Sequence, residues 1–335
     1  MTSPGTRALL VLLPLLPAAA RPALAQERTN RDQSHYTELH DPGFPIKSGL
    51  GIVPAARAGL RDDEIVLGVV VGAEARAYPV NLMWDPQNES LNDTVGGVAI
   101  AATWCPIAHS GVVYDRALAG RTVDLGAVGL EKGVFILYDR QTGSRWSQVS
   151  GRATGGRLEG RVLAKRDSMV TTWGRWRELH PGTTVYVDPS LPGRRRFTEE
   201  SMARITLGGA GPIVNEDLVA GVEGRRHARA YLLRRLAGPR VANDELDGEP
   251  IAVFLAADAV TVRALRRTAA GRTLTFTAVA DRLRDAETGS LWDPMTGRAL
   301  AGPLVGRSLE GLVVTTALWY AWRSQNPETS LWEGP

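Results

Sequence analysis

The stretch IVLGVVVGAEARAYP, Ile65 to Pro79, carries the first decision about the fold. From Ile65 to Val71 every residue is apolar or glycine, which is the length and composition of a buried strand. Gly72-Ala73 supplies a turn, and Ala75 to Val80 runs back. Part of this return strand occurs twice, because Ala75-Arg76-Ala77-Tyr78 recurs as Ala228-Arg229-Ala230-Tyr231. Further matches follow in order along the chain. Asn92-Asp93 with Gly97 recurs as Asn243-Asp244 with Gly248, and Gly120-Arg121-Thr122 as Gly271-Arg272-Thr273. Thr142-Gly143-Ser144 with Trp146 recurs as Thr288-Gly289-Ser290 with Trp292, and Gly151-Arg152-Ala153 as Gly297-Arg298-Ala299. Thr171-Thr172-Trp173 with Trp176 pairs with Thr315-Thr316, Trp319 and Trp322. The offset drifts slowly from 153 to about 146 residues, as expected of an internal duplication.

The remaining pattern within a unit is also strand and turn. Val98 to Trp104 follows the Gly96-Gly97 turn as a mostly buried strand. Gly111 to Tyr114, Arg121 to Leu125 and Val134 to Tyr138 continue a meander with turns every 8–12 residues. Thr172 to Leu179 reads as a helix stopped by Pro181-Gly182, and Ala317 to Ser324 as its twin before Pro327. The expected class is mainly β (α+β), with two tandem homologous β-rich units, each ending in a short helix. Residues 61–188 form the first unit, 189–220 a linker rich in Gly, Arg and Pro, and 221–335 a second, degenerate unit. Residues 26–60 form a polar lead-in that drapes over the first unit.

Residues 1–25 read as a secretory signal peptide. Arg7 precedes the apolar run Ala8 to Ala20, and Ala23-Leu24-Ala25 provides a small-x-small cleavage site. The run is too short to span a bilayer comfortably, so no membrane span is expected. Cleavage near Ala25 makes the protein periplasmic or extracellular and soluble. It also removes Arg7 and Arg21 from a formal charge of only +3, leaving the chain nearly neutral. With no long basic runs, nucleic-acid binding is not expected. The single cysteine excludes an intramolecular disulfide, a cysteine-built zinc site and a one-chain iron–sulfur cluster.

The duplication separates residues needed for folding from residues special to one unit. The shared tryptophans at i, i+3 read as core anchors, and the Thr-Gly-Ser turns as turn chemistry. Arg76 and Arg229 are placed to pair with Asp93 and Asp244. Unit one then reads Thr103-Trp104-Cys105-Pro106-Ile107-Ala108-His109-Ser110 where unit two has Phe254-Leu255-Ala256-Ala257-Asp258-Ala259-Val260-Thr261. Cys105 faces Ala256 in this alignment, and His109 faces Val260. With Pro106 at a first helical position, Cys105 is expected at an N-cap and His109 on the same helical face. Such a pair activates sulfur as a nucleophile, with Ser110 as a hydrogen-bond partner. Alternatively, Cys105 and His109 ligate a soft metal such as copper, with His40, Asp85 or His180 as further ligands. A thioredoxin fold is rejected because Ala108 replaces the second cysteine and no βαβ pattern surrounds the motif. A P-loop, a dinucleotide fingerprint, a zinc-protease helix and a G-x-S-x-G elbow are absent.

Several motifs together resemble the DUF3179 family of uncharacterised bacterial and archaeal proteins. They are Glu74–Pro79 (EARAYP), Asn92–Gly97 (NDTVGG), Thr103–Pro106 (TWCP), Val113–Arg116 (VYDR) and Asp139–Ser144 (DRQTGS). The resemblance spans residues 60 to 333. Many members are similar in carrying C-P-L-C here, whereas this chain has Ala108 in place of the second cysteine, which puts disulfide cycling in question. Other members resemble this chain in carrying C-P-x-A-H-S, and the family includes selenoproteins. The resemblance implies that selenocysteine falls at the position of Cys105, and hence redox chemistry. It supplies no substrate. The leading expectation is an exported thiol-dependent oxidoreductase with Cys105 as nucleophile, oriented or deprotonated by His109. It needs no cofactor, and an external thiol reductant or protein partner completes the cycle. The alternatives are copper-type metal binding at Cys105 and His109, or a non-catalytic binding or scaffold domain.

Overall fold

The computed structural model describes residues 33, 35–47, 49–118, 120–191, 196–209 and 211–334. The expected signal peptide lies outside the described residues. The fold is mainly β, with four α-helices among the described residues.

The opening stretch folds as read. Ile65–Val71 and Glu74–Pro79 form an antiparallel hairpin, with Gly72 in the left-handed region that the tight turn requires. Ser168–Thr172 pairs on one side of this hairpin. On the other side Thr184–Val187 adds in parallel, and Gly51–Pro54 from the lead-in forms the edge. A second sheet has the order Lys165–Arg166, Ser110–Asp115, Val98–Cys105, Ser90–Val95. A third has the order Glu38–Leu39, Leu125–Glu131, Val134–Asp139, Arg145–Ser147, Ala153–Gly155. The lead-in thus supplies an edge strand to two sheets.

Among the described residues the C-terminal half contains three four-stranded sheets and one two-stranded sheet. Thr315–Leu318, Leu218–Glu223, Ala228–Leu232 and Ser330–Trp332 make one. Gly311–Leu312, Val262–Arg266, Glu249–Leu255 and Val241–Leu246 make the next. Phe276–Val279, Arg282–Asp285, Leu291–Trp292 and Ala299–Ala301 make the last.

Recurring sequence motifs make matching contacts. Arg76 and Tyr78 both donate to Asp93, and Arg229 and Tyr231 both donate to Asp244. Asp139 accepts from Thr142 and from the Trp146 indole, and Asp285 accepts from Thr288 and Trp292. Asn92 exchanges two hydrogen bonds with the backbone of Leu125, as Asn243 does with Phe276. These asparagines therefore tie one sheet to the next rather than closing a local loop.

The helix Trp173–Leu179 is capped by Thr172, whose hydroxyl accepts from the Arg175 N–H. The helix Trp319–Gln325 starts two residues later than its expected twin, because Ala317 and Leu318 still belong to a strand. The stretch expected as a linker holds a further helix, Glu199–Leu207, closed at its start by a capping box between Thr198 and Ser201. Buried residues of both halves share two apolar clusters, one running from Ile65, Trp104 and Leu137 to Val219, Tyr231 and Trp322, the other from Val66 and Trp176 to Phe254 and Trp292.

Candidate functional site

Cys105 is the last residue of its strand, paired with Ser110 across a tight β-hairpin. Residues 106–109 form the turn, and His109 takes a left-handed conformation (φ 50°) to close it. This corrects the expectation of a helical N-cap. The Ala108 N–H still points at the sulfur, at 3.4 Å, but from a hairpin turn and not from a helix end. His109 belongs to the turn and not to either strand, and no hydrogen bond joins it to the thiol. The imidazole instead packs edge-on against Phe197, at 5.4 Å between ring centroids. Its Nδ1 is buried without a partner, and burial pushes its pKa down to about 4, so the ring is neutral at physiological pH. Ser110 does not reach the sulfur either. Its hydroxyl donates to Gln148 at 2.7 Å, within a buried network in which Gln148 donates to Thr103 and accepts from Tyr114.

Glu89 stands beside the thiol. Its carbonyl accepts from the Trp104 N–H at 3.0 Å, which fixes it next to the end of the cysteine strand. Glu89 and Cys105 line one cavity of about 160 Å³. Glu38, His40 and Phe44 from the lead-in form one wall, and Ala127, Leu130 and Phe135 from the third sheet another. Among the described residues the Glu89 carboxyl has no hydrogen-bond or ion-pair partner. Burial, and then the neighbouring charge of Asp85, push its pKa up to about 8. Burial also pushes the Cys105 thiol up, helped by Glu89, to about 12. Backbone N–H groups of Ala108, Ile107 and Phe135 oppose this shift and do not overcome it. At neutral pH the resting site therefore holds a protonated thiol beside a largely protonated carboxyl.

The other expected metal ligands disperse. His40 lines the cavity but pairs with Glu38 at 3.6 Å, and the His180 ring packs at a tilt against Trp176, 4.2 Å between centroids. Asp85 acts on Glu89 rather than on the sulfur. Among the described residues no group of three or more His, Cys, Asp or Glu could hold a metal ion.

The corresponding place in the C-terminal half is filled. The Leu255 N–H donates to the Arg240 carbonyl as the Trp104 N–H does to Glu89. Arg240 then pairs with Asp281, and Arg175 pairs with both Asp281 and Asp258. Ala256 occupies the hairpin position of Cys105 and hydrogen-bonds Thr261 across the turn. Sequence reasoning passed over Glu89. The signal was available in the register of the recurring motifs, which sets Glu89 opposite Arg240.

A family model described as a protein of unknown function, DUF3179, matches residues 47–329. The chain belongs to the DUF3179 family. No curated protein and no solved structure matches it. The DUF3179 match covers both halves, and with them Glu89, Cys105 and the wall drawn from the third sheet. No helix among the described residues is long and apolar enough to cross a membrane.

Proposed function

We propose that this DUF3179 protein is an exported thiol-redox protein, in which Cys105 is the nucleophile and Glu89 its proton acceptor. The observation that carries this reading is the shared cavity. Cys105 and Glu89, its carboxyl unpartnered, line one pocket in the first half, while ion pairs fill the matching place in the second. An unpaired buried carboxyl is costly to a fold and is characteristic of sites where chemistry sets the residue. Glu89 replaces His109 as the base because it lines the cavity with the sulfur. The thiol is pushed further up than the carboxyl, so the proton transfer is uphill, but the part of the thiol's rise that comes from ionised Glu89 falls away once Glu89 takes the proton. An external thiol returns the oxidised sulfur to its starting state, since the chain has no second cysteine.

Export rests on the apolar run Ala8 to Ala20 and the cleavage pattern Ala23-Leu24-Ala25. We also take the two halves to be copies of one unit, the second having lost the thiol and the acid.

The test is oxidation of the folded chain by a mild peroxide with a sulfenic-acid trap, read by mass spectrometry of the Cys105 peptide. The expected result is a trapped adduct whose rate rises with pH through about 8, as Glu89 loses its proton. In Glu89→Gln that rise disappears. A Cys105 that stays unmodified in the folded chain, but reacts once unfolded, sinks the reading. A second reading, a pocket that binds without reacting, is favoured by the raised pKa of the thiol, and it predicts that outcome.

A further inference from the structure

We infer that the cavity beside Cys105 takes an uncharged organic hydroperoxide of about six to eight heavy atoms in preference to hydrogen peroxide. This names the substrate class of the site and rests on the thiol-redox reading. The first argument is size. A cavity of about 160 Å³ is close to the roughly 150 Å³ that accommodates benzene in an apolar protein interior. Hydrogen peroxide, with two heavy atoms, leaves most of that space unused.

The second argument is the lining. Phe44, Pro86, Ile107, Ala127, Leu130 and Phe135 present apolar surface, which rewards a substrate carrying an alkyl or aryl group. Charge is the third. No Lys or Arg lies among the lining residues, the His40 ring is taken up by Glu38 at 3.6 Å on the lead-in wall, and Glu89 sits within. An anionic peroxide finds no counter-ion there and meets carboxyl groups instead. Glu38 and His40 pair with each other on the lead-in wall, which leaves the polar end the hairpin side of the cavity. The thiol and the Glu89 carboxyl are the polar groups beside the hairpin, so the O–O bond is directed at them and the carbon group at the apolar walls.

The step balances without a further reagent. The thiol sulfur attacks the terminal peroxide oxygen, an S–O bond forms and the O–O bond breaks. Sulfur loses two electrons and becomes the sulfenic acid, while the hydroperoxide gains them and leaves as the alcohol. The thiol proton passes through the Glu89 carboxylate to the departing alkoxide. Two equivalents of the external thiol then regenerate Cys105, releasing water and the external disulfide.

The experiment uses the full chain and compares tert-butyl hydroperoxide, with six heavy atoms, against hydrogen peroxide. Each rate of Cys105 oxidation is divided by the rate of the same peroxide with free cysteine. The expected result is a normalised rate at least tenfold higher for tert-butyl hydroperoxide, slowed competitively by tert-butanol. Equal normalised rates, or a higher one for hydrogen peroxide, overturn the substrate inference and leave the redox reading standing. If neither peroxide oxidises Cys105 in the folded chain while both do so after denaturation, the redox reading fails and the inference falls with it.

Discussion

Glu89 keeps its proton across a range where an ordinary carboxyl has lost it, and this has a cost that can be measured. Its folded pKa is about 8 against an ordinary 4.5. Below pH 4.5 both the folded and unfolded states carry the proton. Between pH 4.5 and 8 the unfolded chain ionises while the folded site resists, so stability is lost as pH rises. Replacement by glutamine removes that loss. Glu89→Gln is therefore expected to be more stable than the parent at pH 8 by up to about 4 kcal/mol, allowing for partial exposure of the carboxyl. The difference should vanish toward pH 4. Urea unfolding at several pH values checks this, and an advantage that does not grow with pH would mean the folded carboxyl is ionised. Cys105 was legible at this scale because thiol chemistry is written in the residue type. The role of His109 was not. An imidazole four positions on means one thing on a helix and another on a hairpin, and the turn at Pro106–His109 decided which.

Two helices pack by one device that the sequence shows only in outline. The Trp176 ring lies over Gly68, where an added Cβ would come within 2.3 Å of Cε3. The Trp322 ring lies over Gly221 in the same way, at 2.3 Å. Each indole also donates to a threonine beyond its helix, Trp176 to Thr183 and Trp322 to Thr329. Gly68→Ala and Gly221→Ala should each destabilise the chain by about 1–3 kcal/mol or more, because the ring cannot move without breaking that bond. Denaturant midpoints measure the effect, and a neutral alanine at either position would show that the helix shifts freely. The tryptophan spacing made these helices readable. The helix Glu199–Leu207 was missed for a physical reason. Its capping box uses Ser201 instead of the acidic N3 residue that marks such a start in sequence, and few of its residues are buried.

The halves are joined at several points that make the whole molecule one cooperative unit. The Leu318 N–H donates to the Ala108 carbonyl, which presses a C-terminal strand against the cysteine hairpin. Tyr320 donates to the Gly133 carbonyl, Thr171 bonds Thr261, and Arg263 makes two hydrogen bonds to Asp167. Urea unfolding is therefore expected to be a single transition, with tryptophan fluorescence and far-ultraviolet circular dichroism superimposing. A chain ending at residue 209 should lose that transition and expose Cys105 to alkylation. Two separated transitions in the intact chain would contradict the shared core. The sequence by itself determined the β class, the principal hairpin, the recurring motifs and the singular position of Cys105, because alternation, turn residues and residue type are local properties. The tertiary structure alone decided what surrounds the thiol. Glu89, the lead-in and Phe135 reach it from separate segments, and proximity between segments is set by how sheets pack, which no single stretch of sequence contains.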